Sequence, residues 1–423
     1  MSAAHASLPP GYPGRTLSGL GDLPARAALT APLAVTLGAP LVMGSDRPLA
    51  WLSWAGVLGL ALSLRALDRR AVRGSATPAL TALLPVAAAW VWAVWLALEG
   101  SADPGASLAG LLRWLSYGAL FVLGLELGLA ASSEDGAGRR RLASCILLAG
   151  AAQGVLALGL LLGGDLSPWG TKAHYPDAAT GSFMNPNALA AQLGMAGICG
   201  LALMRGSMRT NGWLLLALML MAAALLATGS RMGVLAALAG GATVCVARDT
   251  GRRSGRFPFW SLGLTGAAAL VMMPRLADLP ADLAIRAELY RQVIEMIALR
   301  PWTGYGLDAF ATAFPPLRTA GLPPELVWLN PHSTYLSLWV ELGLIAGSLP
   351  LLALGLIAMR LIGPRAGASV PADPLRLAAL GVLVQAGLHA SVDFSFEIAA
   401  NAYLLVLILS LGLTALPRTE TLQ

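Results

Sequence analysis

The stretch that decides the fold class is GWLLLALMLMAAALLAT, residues 212–228. It contains no charged side chain, and a second apolar run follows over residues 231–247 after a turn at Gly229-Ser230. A bilayer core about 30 Å thick requires roughly 20 apolar residues per helix, because only a helix satisfies its own backbone hydrogen bonds in lipid. These two runs therefore predict a helical hairpin that crosses a membrane.

The same composition extends over the rest of the chain. Of its 423 residues, 57% are hydrophobic and only 12% are charged, with a mean hydropathy of +0.69, which excludes an ordinary soluble domain. We predict an all-α, polytopic membrane protein with about 12 transmembrane helices. The spans run approximately over 26–44, 48–65, 77–98, 107–130, 142–163, 187–204, 212–228, 231–247, 258–273, 333–359, 375–393 and 397–415.

Arginines are concentrated after the even-numbered spans, which sets the expected orientation. Basic residues accumulate in cytoplasmic loops close to helix ends. We therefore predict one transmembrane domain over 26–415, a flexible cytoplasmic tail over 1–25 and another over 416–423, with outer loops at about 164–186 and 274–331. The net charge of +6 follows from these arginines. It predicts contacts with membrane lipids and requires no nucleic-acid partner.

The larger outer loop has an internal pattern. Apolar residues recur over about 281–299 with charged residues between them, which predicts an amphipathic helix against the membrane or the bundle. Pro301 ends that helix, and Gly304 and Gly306 allow a tight turn. The first half of this loop carries Arg286 and Arg291, whose planar guanidinium groups suit a diphosphate.

Two residues stand out as candidates for chemistry. His332 lies just before the tenth span and can exchange a proton near neutral pH, although it can also simply cap or anchor the helix. Arg231 opens the eighth span on the outer side, against the positive-inside pattern. Such an arginine either reaches up to the interface or binds an anion such as a phosphate.

Further polar residues are predicted at the same level of the membrane. Asn185 and Asn187 open the sixth span, where they cap the helix or help attract an anion. His389 and Asp393 share one face near the outer end of span 11, and Tyr335 follows His332 at the interface. These residues form either a structural cluster or the wall of an acceptor site. No third strong ligand has suitable spacing, so no metal is predicted.

Taken in order, these motifs resemble the O-antigen ligase and polymerase superfamily of bacterial envelope glycan transferases, over roughly residues 181–415. The resemblance is carried by Gly181-Ser182-Phe183-x-Asn185-Pro186-Asn187, Gly229-Ser230-Arg231, Arg286 ahead of Arg300-Pro301-x-x-Gly304-x-Gly306 and Phe310, and Pro331-His332-Ser333-x-Tyr335-Leu336 with Glu341-x-Gly343. Many relatives have Asn after the histidine, where this chain has Ser333. This departure keeps His332 and changes its neighbour.

The resemblance implies an enzyme of the bacterial inner membrane whose outer loops face the periplasm. It implies a glycan donor on a polyprenyl diphosphate, with Arg231 and Arg286 at the diphosphate and His332 as the base for an acceptor hydroxyl. From its place on the amphipathic helix, Arg291 is expected to add a donor to the same diphosphate. Reaction opposite the leaving group would invert the anomeric centre, and no cofactor is implied. The expected activity is O-antigen ligase, with lipid A core as acceptor.

Four alternatives remain open at this stage. Within the superfamily these are a polymerase, whose acceptor is a growing glycan, and a protein O-oligosaccharyltransferase. Outside it, a transporter or lipid flippase also has about twelve helices with buried charges. A non-catalytic scaffold of envelope assembly is the fourth.

Overall fold

The computed structural model describes residues 23–67, 77–132, 136–164, 166–172, 174–204, 211–249, 279–363 and 373–414. Within these residues the chain is an all-α bundle. Seven helices are long and apolar enough to cross a membrane, and four shorter apolar helices accompany them. The prediction of an all-α polytopic membrane protein is confirmed.

Twelve main helices occupy the described residues: α1 Leu23–Gly38, α2 Pro48–Leu67, α3 Leu84–Glu99, α4 Pro104–Ala130, α5 Ala137–Leu162, α6 Pro186–Leu203, α7 Gly212–Ala227, α8 Arg231–Asp249, α9 Leu279–Leu299, α10 Thr334–Ile362, α11 Pro374–Ala390 and α12 Ala399–Leu413. Eleven of the twelve predicted spans coincide with these helices. The predicted span over 258–273 lies outside the described residues, as do residues 1–22 and 415–423 of the predicted tails.

Helices α6 and α12 form the centre of the bundle. Of the apolar stretch of α6, 83% is buried, compared with 22% for α2 at the rim. Helix α6 packs against α5, α8 and α11, and α12 packs against α4 and α11. A helix that is apolar all round is stable only when it is surrounded in this way or faces lipid.

The predicted amphipathic helix is α9, and it packs against the bundle. Its side chains Leu289, Val293 and Met296 are buried in a cluster with Phe310 and Val340. Two residues of the expected apolar stripe do not take part, because Leu283 and Ile294 are 55% and 56% exposed. The shorter outer loop contains a small antiparallel hairpin, β1 Leu166–Ser167 and β2 Gly170–Thr171.

The loops separate into two ends of the bundle. At one end, Ala102 N–H donates to Tyr305 O at 2.7 Å and Ala179 N–H donates to Ala227 O at 2.9 Å. These contacts join the loops that the arginine pattern assigns to the outer side, and we call this the site end. At the opposite, basic end, Arg139 pairs with Asp373 at 2.5 Å. The arrangement agrees with the expected alternation, and the compartment that each end faces stays a prediction.

Candidate functional site

His332 lies at the site end, immediately before α10, in a tightly held backbone. Its φ of +55° is in the left-handed region, which non-glycine residues rarely occupy. Asn330 Oδ1 accepts a hydrogen bond from the His332 N–H at 3.1 Å, and the Tyr290 hydroxyl donates to the His332 carbonyl at 2.9 Å. Such strained positions persist only where the surroundings fix them, and they cluster at functional sites.

Two aromatic rings hold the imidazole of His332. The ring centroids of Trp328 and Phe394 lie 5.5 Å and 5.1 Å from it, both edge-to-face. Its Nδ1 is buried and has no hydrogen-bond partner among the described residues. Burial and, to a smaller extent, the charge of Arg286 lower the pKa of His332 to about 4, although the carboxylate of Asp393 opposes the shift. The imidazole is therefore neutral at pH 7 and can accept a proton.

The turn between α11 and α12, residues 391–398, joins the other parts of the site. Arg286 on α9 donates a short hydrogen bond to the carbonyl of Val392. Asp393, only 2% exposed, accepts from Asn187 Nδ2 at 2.6 Å, and its carbonyl accepts from the Thr334 hydroxyl at 3.4 Å. The turn thus connects the starts of α6 and α10 with the first half of α9.

Asp393 is held in place by its own turn. Its Oδ1 accepts from the backbone N–H of Ser395 at 2.8 Å and from the Ser395 hydroxyl. Its carboxylate oxygens therefore receive donors from two directions, from Ser395 and from Asn187. A carboxylate satisfied in this way is fixed in orientation, so its effect on His332 is also fixed.

Arg231 is the first residue of α8 and reaches the same end of α9. Its Nη2 pairs with Asp282 Oδ2 at 2.9 Å, and Asp282 lies one helical turn before Arg286. The Arg231 Nη1 is buried without a hydrogen-bond partner among the described residues. Asp282 is 55% exposed. An exposed ion pair of this kind contributes little, so Arg231 is available to bind another anion.

Three of the expected site residues have other surroundings. Arg291 pairs with Glu288 and Glu295 on its own helix, and its side chain is 49% exposed. The Tyr335 hydroxyl donates to the Gly387 carbonyl at 2.8 Å, which ties α10 to α11. Asn185 caps α6, because its side chain accepts from the N–H of Asn187 at 2.7 Å.

His389 is completely buried in α11. Neither ring nitrogen has a hydrogen-bond partner among the described residues, and the Phe396 ring stands edge-to-face with its centroid 6.2 Å away. It lies four residues before Asp393, but α11 ends at Ala390, so Asp393 lies in the turn 391–398 and the expected shared helical face does not form.

The segment Arg300–Gly306 has a structural role. Helix α10 is interrupted at Gly343, whose φ of +79° and ψ of 167° are not helical. The interruption leaves backbone groups of α10 unpaired within the helix, and the segment supplies their partners. These hydrogen bonds are Tyr305 N–H to Val340 O at 3.0 Å, Gly306 N–H to Glu341 O at 2.9 Å and Leu344 N–H to Pro301 O at 2.8 Å.

A second polar cluster lies deeper between the helices. Arg113 of α4 pairs with Asp308 at 2.5 Å, and the backbone N–H of Asp308 donates to Glu341 Oε2 at 2.8 Å. The Ser337 hydroxyl donates to Glu397 Oε1 at 2.8 Å. Arg113 and Glu341 both face the interior of the bundle. Asp308 carried no signal of its own.

Tyr290 is another residue of the site that sequence reasoning missed. It lies four residues after Arg286, so both occupy one face of α9. That spacing was the available signal.

Comparison with known proteins adds one match. Residues 216–351, about a third of the chain, match a family model described as O-antigen ligase. No curated protein matches the chain. The matched residues include Arg231, Arg286 and His332, which are the residues that carry most of the candidate chemistry. Over this segment the chain is thus similar to the O-antigen ligase family, in line with the resemblance noted from its motifs.

Proposed function

We propose that this protein is a glycan transferase of the bacterial inner membrane. It moves a glycan from a polyprenyl diphosphate to an acceptor hydroxyl at a site that faces the periplasm. The single observation that carries the proposal is the meeting of Arg286, His332 and Asp393 around the turn 391–398. This arrangement provides a cation for the leaving group and a base for the acceptor.

The reaction requires few participants. His332 accepts the proton of the acceptor hydroxyl while the acceptor oxygen forms a bond to the anomeric carbon. The bond between that carbon and the phosphate oxygen breaks, and the diphosphate leaves with the electron pair. Arg286 and Arg231 stabilise the negative charge of the leaving diphosphate. Attack from the side opposite the leaving group inverts the anomeric centre.

The electrostatic surroundings of His332 suit this order of events. In the free protein, the pKa of His332 near 4 keeps the ring neutral and ready to accept a proton. A bound diphosphate offsets the charge of Arg286, which is one of the causes of that low pKa. Donor binding therefore makes His332 a stronger base when the substrate is present.

Among the activities of the superfamily we propose ligation to lipid A core. The nearest alternative is a polymerase that extends the glycan on its own carrier, and a protein O-oligosaccharyltransferase is the third. A transporter or flippase shares interrupted helices such as α10. In this chain, however, the segment Arg300–Gly306 fills the interruption with hydrogen bonds. This favours a structural role for the interruption over a role in a transport pathway.

The test is reconstitution of the purified full-length chain in liposomes with a polyprenyl-diphosphate glycan and lipid A core. The ligase proposal expects glycan on lipid A core and free polyprenyl diphosphate. Longer carrier-linked glycan would instead establish a polymerase. Movement of the donor across the bilayer with no new glycosidic bond would overturn the transferase proposal.

A further inference from the structure

A polar track leads away from His332 along α10. Thr334, Ser337 and Glu341 are spaced i, i+3 and i+7, so they share one face of the helix. At 1.5 Å per residue the track is about 10 Å long. It begins two residues after His332 and ends at the cluster of Arg113 and Asp308.

The residues of this cluster are only partly enclosed by the helices around them, and we call the exposed surface between them the crevice. Arg113 is nine residues beyond the first residue of α4, about 13 Å along the helix axis. Even so, the side chains of Arg113 and Asp308 are 17% and 28% exposed. The pair therefore lies at the surface of the crevice and is not sealed inside the bundle.

Several polar atoms of the crevice lack partners. Arg113 Nε and the Tyr117 hydroxyl are buried without a hydrogen-bond partner among the described residues. Glu341 is 8% exposed, and within the described chain only the Asp308 N–H donates to its carboxyl group, at Oε2. Leaving a buried polar group without a hydrogen-bond partner is destabilising. Unsatisfied donors and acceptors on the same walls indicate a place for a polar ligand.

The charge of the crevice selects the kind of ligand. Asp308 pairs with the guanidinium of Arg113, and the carboxyl groups of Glu341 and Glu397 lie near enough to interact with its charge. This composition disfavours a diphosphate, which the arginines near His332 attract. Carboxyl oxygens accept hydrogen bonds from hydroxyl groups, and a guanidinium donates to them.

We infer that this crevice is a second binding site, which takes the hydroxyl groups of a saccharide beside His332. The inference rests on the proposed function in one respect, since the saccharide would be that of the acceptor or of the donor. Sugar rings that occupy the track would place the reacting hydroxyl or the anomeric carbon near the imidazole.

The test measures binding and does not depend on turnover. Affinities of purified lipid A core, of polyprenyl-diphosphate glycan and of sugar-free polyprenyl diphosphate are compared for the parent, Asp308→Asn and Ser337→Ala. Glu126→Gln is the matched control, because Glu126 pairs with Arg65 at 2.6 Å with side chains 15% and 8% exposed at the basic end. Ser337→Ala removes one hydroxyl without changing a charge, so it keeps the test valid if Asp308→Asn fails to fold.

We expect Asp308→Asn to lower the binding affinity for one of the two glycolipids about tenfold, which is the scale of one hydrogen bond to a charged group. The weakened glycolipid identifies the source of the saccharide. Sugar-free polyprenyl diphosphate should bind unchanged, and Glu126→Gln should bind all three like the parent. Unchanged glycolipid binding by folded Asp308→Asn and Ser337→Ala would overturn the inference, as would equal weakening of the sugar-free lipid. This experiment measures binding and not transfer. A failure of the transferase proposal would therefore be seen separately, as binding of the glycolipids by the parent protein without product in the liposome assay.

Discussion

Gly343→Ala should destabilise the protein severely, because the interruption of α10 requires a glycine. The residue has φ +79° and ψ 167°, a region that essentially only glycine occupies. A Cβ built there would lie 2.3 Å from the carbonyl oxygen of Trp302, which belongs to the segment that fills the interruption. Both the conformation and the contact oppose any side chain.

The magnitude follows from these two terms. The disfavoured conformation costs about 1–3 kcal/mol, and overpacking against backbone costs about 1–3 kcal/mol more. We expect a loss of about 2–6 kcal/mol in the free energy of unfolding. Gly355→Ala is the matched control on the same helix, because nothing lies within 4 Å of its added Cβ. There alanine should stabilise the helix by up to about 1 kcal/mol.

The assay is thermal denaturation of both variants in detergent, followed by loss of the monodisperse peak in size-exclusion chromatography. Gly343→Ala should denature at a much lower temperature than the parent, and Gly355→Ala should match or exceed the parent. If Gly343→Ala denatures with the parent, the interrupted geometry of α10 is wrong. The argument that Arg300–Gly306 holds the helix that follows His332 would then fail too.

Three further outcomes are expected. The transfer rate at limiting substrate should fall with decreasing pH around 4, the pKa of the free His332, and a midpoint near 6.5 would contradict the buried geometry. Arg286→Gln should move that midpoint upward but not to the ordinary value near 6.5, because burial is the larger cause of the low pKa, whereas Asp393→Asn should move it downward. In a rate assay, Arg286→Ala should lower the transfer rate about a hundredfold, whereas Arg291→Ala should keep the rate of the parent. An equal loss in Arg291→Ala would show that Arg291 also acts in the site.

The membrane helices were predictable from composition, and the reason is physical. Lipid leaves few alternatives to long apolar helices, so eleven predicted spans coincide with helices of the structure. The run at residues 212–228, for example, is helix α7, Gly212–Ala227. Such boundaries depend on local sequence alone.

The site was predictable only in part, because its contacts are long-range. Arg286, His332 and Asp393 could be named one by one, but the sequence could not show that a turn 106 residues beyond Arg286 accepts its hydrogen bond. Arg291 illustrates the same limit. Five residues separate it from Arg286, which rotates it by about 140° around α9, so the two face different surroundings.

The turn at Arg300–Gly306 was predictable, but the part of the chain that it contacts was not. Its glycines and proline indicated a turn, and the turn exists. Its partner, the interruption of α10 at Gly343, had no distinctive signal because glycine is common inside membrane helices. Asp308 was missed because its contact is long-range: it pairs with Arg113, which lies 195 residues earlier in the chain.

The first measurement is glycolipid transfer by His332→Ala in a strain that lacks the native protein. It shows whether His332 is the base of a glycan transferase. His174→Ala is the matched control, because His174 is exposed in the shorter outer loop, and equal membrane expression is confirmed for both. The account predicts that His332→Ala abolishes transfer and accumulates carrier-linked glycan, while His174→Ala transfers like the parent. Normal transfer by His332→Ala would contradict it.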